Sequence, residues 1–107
     1  MTKIPKKQVP APQRVAKLMR PTDPLTVVEA YVDLGPGNAL YIRGHGDGLS
    51  WDNGQRLSRG FRGSWIWTTS RARRKVRFQL LLNDEIWAKG GGIIVGAGKL
   101  IEIAPVF

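Results

Sequence analysis

The chain contains no cysteine. Disulfide scaffolds, thiolate metal sites and cysteine nucleophiles are therefore excluded together. Histidine is nearly as scarce. His45 is the only one, and it sits in a glycine-rich stretch where a solvated ring is the plain reading. Acids are few, 8 against 17 basic residues, and none of them cluster at metal-ligand spacing. Asp84 and Glu85 are adjacent, so on a strand they point to opposite faces and do not flank one substrate. No apolar run approaches the roughly 18 residues that a membrane-spanning helix needs. The basic N-terminus lacks the continuous apolar segment of a secretory signal. These shortages predict a protein that is not an enzyme, holds no cofactor or metal, has no membrane span, and works in the cytoplasm.

Glycine is missing from the first 34 residues, whereas all 13 glycines follow Leu34. Proline shows the reverse bias: Pro5, Pro10, Pro12, Pro21 and Pro24 all precede residue 25. Charge divides at the same place. Lys3, Lys6, Lys7, Arg14, Lys17 and Arg20 face no acid before Asp23, so much of the formal net charge of +9 lies in the tail. Residues 1–24 read as a basic, proline-punctuated tail, in which Gln13–Arg20 has the composition for about two turns of a marginal helix. Residues 25–107 read as one domain of ordinary hydrophobicity.

Within the domain, apolar residues recur with period two. Val28, Ala30, Val32 and Leu34 share one face, while Glu29 and Asp33 take the other. Val76, Phe78, Leu80 and Leu82 point one way, and Arg77, Gln79 and Leu81 the opposite way. Ala39–Arg43, Ser64–Ser70, Glu85–Ala88 beyond the tight turn at Asn83-Asp84, Ile93–Val95 and Lys99–Ala104 complete the strand-like segments. Gly35-Pro36-Gly37-Asn38, Asn53-Gly54 and Asn83-Asp84 are turn signals. Six or seven short strands without a convincing helix predict an all-β fold, an antiparallel β-sandwich. Val28, Val32, Ile42, Phe78, Leu80 and Ile103 are its expected core.

Gly44, Gly46 and Gly48 alternate as in a phosphate loop, but no helix or Walker lysine follows them. The four tryptophans are more informative. Trp65 and Trp67 share one strand face, and at least one is expected in the core. Trp51 and Trp87 stand among polar and glycine neighbours, as either lids on the sandwich or exposed platforms. An exposed indole suits two ligands: a nucleobase, or a pyranose whose C–H face is apolar and whose hydroxyls need polar partners at the rim.

The order of motifs carries a resemblance. Leu40-Tyr41-Ile42-Arg43-Gly44 is followed by Gly48-Leu49-Ser50-Trp51-Asp52, then Trp65-Ile66-Trp67 and Val76-Arg77-Phe78-Gln79-Leu80-Leu81. Asn83-Asp84-Glu85-Ile86-Trp87 and the terminal Ile101–Phe107 complete the set. Over residues 25–107 this resembles the starch-binding and glycogen-binding carbohydrate-binding modules, the kind found in fungal glucoamylase and in the β subunit of the AMP-activated kinase. The resemblance implies an immunoglobulin-like sandwich of about seven strands. It also implies non-catalytic binding of α-glucan, with Trp51 and Trp87 as the platform, Gln79 where the family usually has lysine, and Lys89 in place of a following asparagine. Such modules usually accompany a catalytic domain, so a glycan-active enzyme acting in trans is an expected partner.

Two other readings remain at this point. A protein-interaction domain would keep the sandwich without binding glucan, and the departures at Gln79 and after Lys89 favour it. A nucleic-acid-binding protein would use the basic run Arg71-Ala72-Arg73-Arg74-Lys75. That reading is disfavoured, because a charge run between two strands is ordinarily a solvated connection.

Overall fold

Alternation of apolar and polar residues is what a half-buried strand requires, and strands form where it occurs. The structure, a computed structural model, describes residues 25–70 and 72–107. The expected tail over residues 1–24, its Gln13–Arg20 segment, and Arg71 of the basic run lie outside the described residues. Among the described residues nine strands are present: β1 (Thr26–Tyr31), β2 (Leu40–His45), β3 (Gln55–Arg56), β4 (Ser58–Arg59), β5 (Ser64–Thr69), β6 (Val76–Leu82), β7 (Ile86–Trp87), β8 (Ile93–Val95) and β9 (Leu100–Ile103). One sheet has the order β4-β5-β1-β9. The second has the order β3-β2-β6-β7, with β8 also pairing β6. Because β2 takes one edge of β6 along most of its length, β7 and β8 divide the other edge between them.

The two sheets make the expected sandwich, refined in two respects. Nine strands replace about seven because β3 and β4 are only two residues long, too short for a period of two to show. β3 and β4 flank Leu57, which is 2% exposed where the chain passes from one sheet to the other. Furthermore, the pairing is antiparallel everywhere except between β1 and β9, which run parallel with Val28 opposite Ile101. Alternation fixes which side chains face inward but not strand direction, and a parallel pair needs a long crossover. Here nearly the whole domain supplies it.

Val28, Ala30, Trp65 and Trp67 from the first sheet pack with Leu40, Ile42, Val76, Phe78 and Leu80 from the second. Both tryptophans of β5 are core residues, and the Trp67 Nε1–H donates to Gln55 Oε1 at 3.0 Å. The Arg59 guanidinium covers the Trp65 ring 4.3 Å from its centroid. Val32 and Ile103, expected inside, are only partly buried against the core. β1 has ended before Val32, and Ile103 belongs to the edge strand β9.

Candidate functional site

The strands that bury Phe78 and Ile42 turn their other faces outward, and that outer face is ordered by strand register. Tyr41 lies opposite Leu81, Arg43 opposite Gln79, and His45 opposite Arg77. Across β6, Trp87 pairs with Leu81 and Ile94 with Arg77. Leu81 is 1% exposed although it is not part of the sandwich core. With Tyr41 and Trp87 as its cross-strand neighbours, it forms the floor of a small apolar patch on the outside of the sheet.

Trp87 is placed by the turn that precedes it. Asn83 and Asp84 have φ of 54° and 58°, and the Glu85 N–H donates to the Leu82 carbonyl at 3.0 Å. Two successive residues in the left-handed region make the hairpin turn whose twist suits antiparallel strands, and Asn and Asp tolerate that region best after glycine. The turn is fastened from outside. The Asn83 N–H donates to the Ala39 carbonyl at 2.8 Å, while Asn83 Oδ1 accepts from the Ala39 N–H at 2.9 Å.

Asp84 then reaches across to β2. Its Oδ1 accepts from Arg43 Nε at 2.9 Å, and its Oδ2 accepts from the Gly54 N–H at 3.2 Å. Arg43 Nη2 donates to the Asp84 carbonyl and Nη1 to the Trp51 carbonyl, each at 3.1 Å. One guanidinium therefore joins the turn before Trp87 to the loop that carries Trp51. The Arg43 hydrogen bond holds the Asp84 carboxyl below the ordinary carboxylate range. The Gly54 N–H and the Arg43 charge add to this, against the opposing effect of burial. Gly54 is required by space: a Cβ there would stand 2.2 Å from Asp84 Oδ1.

The result is a pair of half-exposed indoles. Trp51 is 38% and Trp87 43% exposed. Their ring centroids are 6.5 Å apart, with the planes inclined at 36°. The Arg43 guanidinium carbon lies 5.5 Å from the Trp87 centroid. On its other side, Trp51 lines an open cleft of 390 Å³ with His45, Lys75, Arg77 and Ile94. A second cleft, of 680 Å³, is lined by residues 31–36 with Arg59, Arg62 and Gly63, and shares no residue with the tryptophan pair.

Of the residues singled out in the sequence, Trp51 and Trp87 come together, and Gln79 lies half-buried on the same outer face opposite Arg43. Lys89 is not among the side chains that hold the pair together. It is exposed two residues beyond Trp87, and its N–H donates to the Val106 carbonyl at 2.7 Å. Asp84 occupies the turn that Asn83-Asp84 signalled in the sequence. Two local expectations are corrected. His45 is the last residue of β2 and not part of the loop, because β2 continues beyond Arg43 against β6. Gly54 is more than a turn residue, since its N–H binds Asp84. Arg43 and Asp84 were missed as site residues. The signal available was the outward position of Arg43 beside Ile42, but its partner lies 41 residues away.

Among the described residues, no three His, Asp or Glu side chains gather as metal ligands. Nor, among them, is any helix long and apolar enough to cross a membrane.

No family model matches the chain, and no curated protein matches it. A solved structure does: the glycoside hydrolase family 15 glucoamylase from Hypocrea jecorina, with a TM-score of 0.62 at 13% identity. The match covers 81% of this chain and 18% of that one, so the chain spans under a fifth of the glucoamylase it resembles. At this identity the likeness is one of fold, and the fold this chain shares with part of that glucoamylase is the two-sheet sandwich that carries the tryptophan pair.

Proposed function

We propose that the protein is a non-catalytic module that binds α-glucan on the Trp51–Trp87 pair. The observation that carries this reading is the pair itself: two half-exposed indoles, 6.5 Å apart and inclined at 36°, held by Arg43 and Asp84. An α-1,4-linked glucan is helical, so successive rings present their apolar faces at an angle. A flat pair of indoles would suit a straight chain better than a curved one. Gln79 offers both a donor and acceptors to hydroxyls along the rim, and Lys89 is the nearest cation in sequence beyond Trp87. Asp84 has both carboxyl oxygens engaged in holding the pair. The fold likeness to a glucoamylase supports the same reading. So does the resemblance of the ordered motifs to starch-binding and glycogen-binding modules. A cytoplasmic setting with a glycan-active enzyme in trans completes the proposal.

Stacking is worth about 1–3 kcal/mol per ring, by analogy with base stacking on aromatic residues. Two rings give about 4 kcal/mol at the middle of that range, so with rim hydrogen bonds offsetting the ordering of ligand and loop the Kd is on the order of millimolar. Titration with maltoheptaose or β-cyclodextrin should move the indole N–H resonances of Trp51 and Trp87 and leave those of Trp65 and Trp67 in place. No response at millimolar ligand would refute the proposal. A protein partner is then the second reading. Phe61, 90% exposed in the short 3-10 turn before β5, is the observation favouring it.

A further inference from the structure

We infer that the glucan this site takes carries phosphate esters, and that the cleft beside Trp51 receives the phosphate. The inference rests on the α-glucan reading and names its substrate class. His45, Lys75 and Arg77 converge on the cleft with Trp51 and Ile94, and no carboxylate lines it. Register explains the convergence. His45 and Arg77 are cross-strand partners on the outer face, with Ile94 next in the same row. Lys75 precedes β6 by one residue, on the same face as Arg77 by alternation. All three basic side chains are exposed.

The cleft continues the tryptophan surface. Trp51 contacts Trp87 on one side and forms a wall of the cleft on the other. Along β6, the row of Leu81 and Trp87 is four residues from the row of Arg77, about 13 Å at strand rise. A chain laid over the indoles in that direction therefore ends among the cations. A neutral glucan offers them hydroxyl acceptors but no charge. An unmodified α-glucan has no carboxylate, and a phosphate monoester on a hydroxyl gives it negative charge without altering its rings. Arg77 provides a planar fork for two phosphate oxygens, and Lys75 a mobile point charge. Stacking and charge are thus supplied by adjoining parts of one surface. This charge is set beside an exposed ring.

The test compares one α-glucan carrying C6 phosphate monoesters with the same preparation after phosphatase treatment, using the full chain and calorimetry or affinity electrophoresis. The phosphorylated glucan should bind about tenfold more tightly, the scale of one or two charge-assisted hydrogen bonds at an exposed site. That advantage should shrink with added salt. The double variant Lys75→Ala, Arg77→Ala should lose it while binding the dephosphorylated glucan as before, and Trp51→Ala should weaken both. Equal binding of the two glucans overturns the inference and leaves the glucan reading intact. Binding of neither overturns both. A single-stranded oligodeoxynucleotide that binds more tightly than the phosphoglucan, and loses this in the double variant, assigns the cleft to nucleic acid and overturns the inference.

Discussion

Replacing Asp84 by asparagine changes one oxygen to an amide nitrogen and leaves the shape of the turn alone. The consequences follow from what the carboxylate accepts. In the native chain, Oδ1 takes the Arg43 Nε–H at 2.9 Å and Oδ2 takes the Gly54 N–H at 3.2 Å. An asparagine has one acceptor oxygen, so its amide group must face a donor at the other position. The ion pair is partly open, with side-chain exposures of 19% for Arg43 and 28% for Asp84. A hydrogen bond to a charged group contributes about 1.5–3 kcal/mol when well buried, and an exposed ion pair about 0–1. This intermediate case falls at about 1–2 kcal/mol, or about 5–10 °C in Tm for a domain of this size. Arg43, released, also loses its hold on the Trp51 carbonyl, so the indoles lose their fixed separation. Glucan affinity should fall several-fold. The acid dependence separates the charge from the shape. The folded Asp84 pKa is depressed, so the stabilisation is fully present above the unfolded value of about 3.9 and is lost as pH falls through the folded value. Wild-type binding should therefore be flat from neutral pH down to about 4 and decline below it. In Asp84→Asn, the part of that decline owed to this pair should be missing. Calorimetric melts and maltoheptaose titrations at several pH values read both effects. An Asp84→Asn protein with wild-type Tm and affinity would refute the argument that this pair holds the site.

Trp51→Ala and Trp87→Ala should each weaken binding of neutral glucan by about tenfold or more with little change in Tm, since both rings are half exposed. Titration paired with thermal melts checks this. Phe78→Ala should destabilise the domain by about 3–5 kcal/mol, because the ring is 0% exposed between the sheets. Denaturant unfolding measures it. Gly54→Ala should behave like a weakened Asp84: the added methyl would meet Oδ1 at 2.2 Å and force the carboxylate off the Gly54 N–H. Its hydrogen-exchange protection at residue 54 should fall while the core amides keep theirs.

Inward and outward faces were legible in the sequence wherever a strand was long enough to alternate. Val28, Ile42, Phe78 and Leu80 are buried as their spacing requires. Val32 shows the limit, because alternation does not say where a strand stops. The two-residue strands β3 and β4 were invisible for the same reason. The exposure of Trp51 and Trp87 could be weighed from their polar neighbours, but their approach to 6.5 Å could not. That distance depends on Arg43 meeting Asp84 across 41 residues, and such a meeting is fixed by the β2–β6 register. Only the packed core sets that register. Local turn chemistry was readable at Asn83-Asp84, where the left-handed backbone favours those two side chains.

The strand pair β2–β6 carries the core on one surface and the candidate site on the other. Displacing one strand by a single residue would exchange the two surfaces, bringing Arg77 and Gln79 inward and Phe78 out to water. Charged groups buried without partners make every such misalignment far less stable than the native one. The cation row, the amide and the indole beside them are therefore aligned by the same force that excludes water from the sandwich. A chain that has folded at all presents them already in place. Loss of ligand recognition without loss of fold must then come from the outward side chains or the two loops, since the strands beneath have no second stable alignment to adopt.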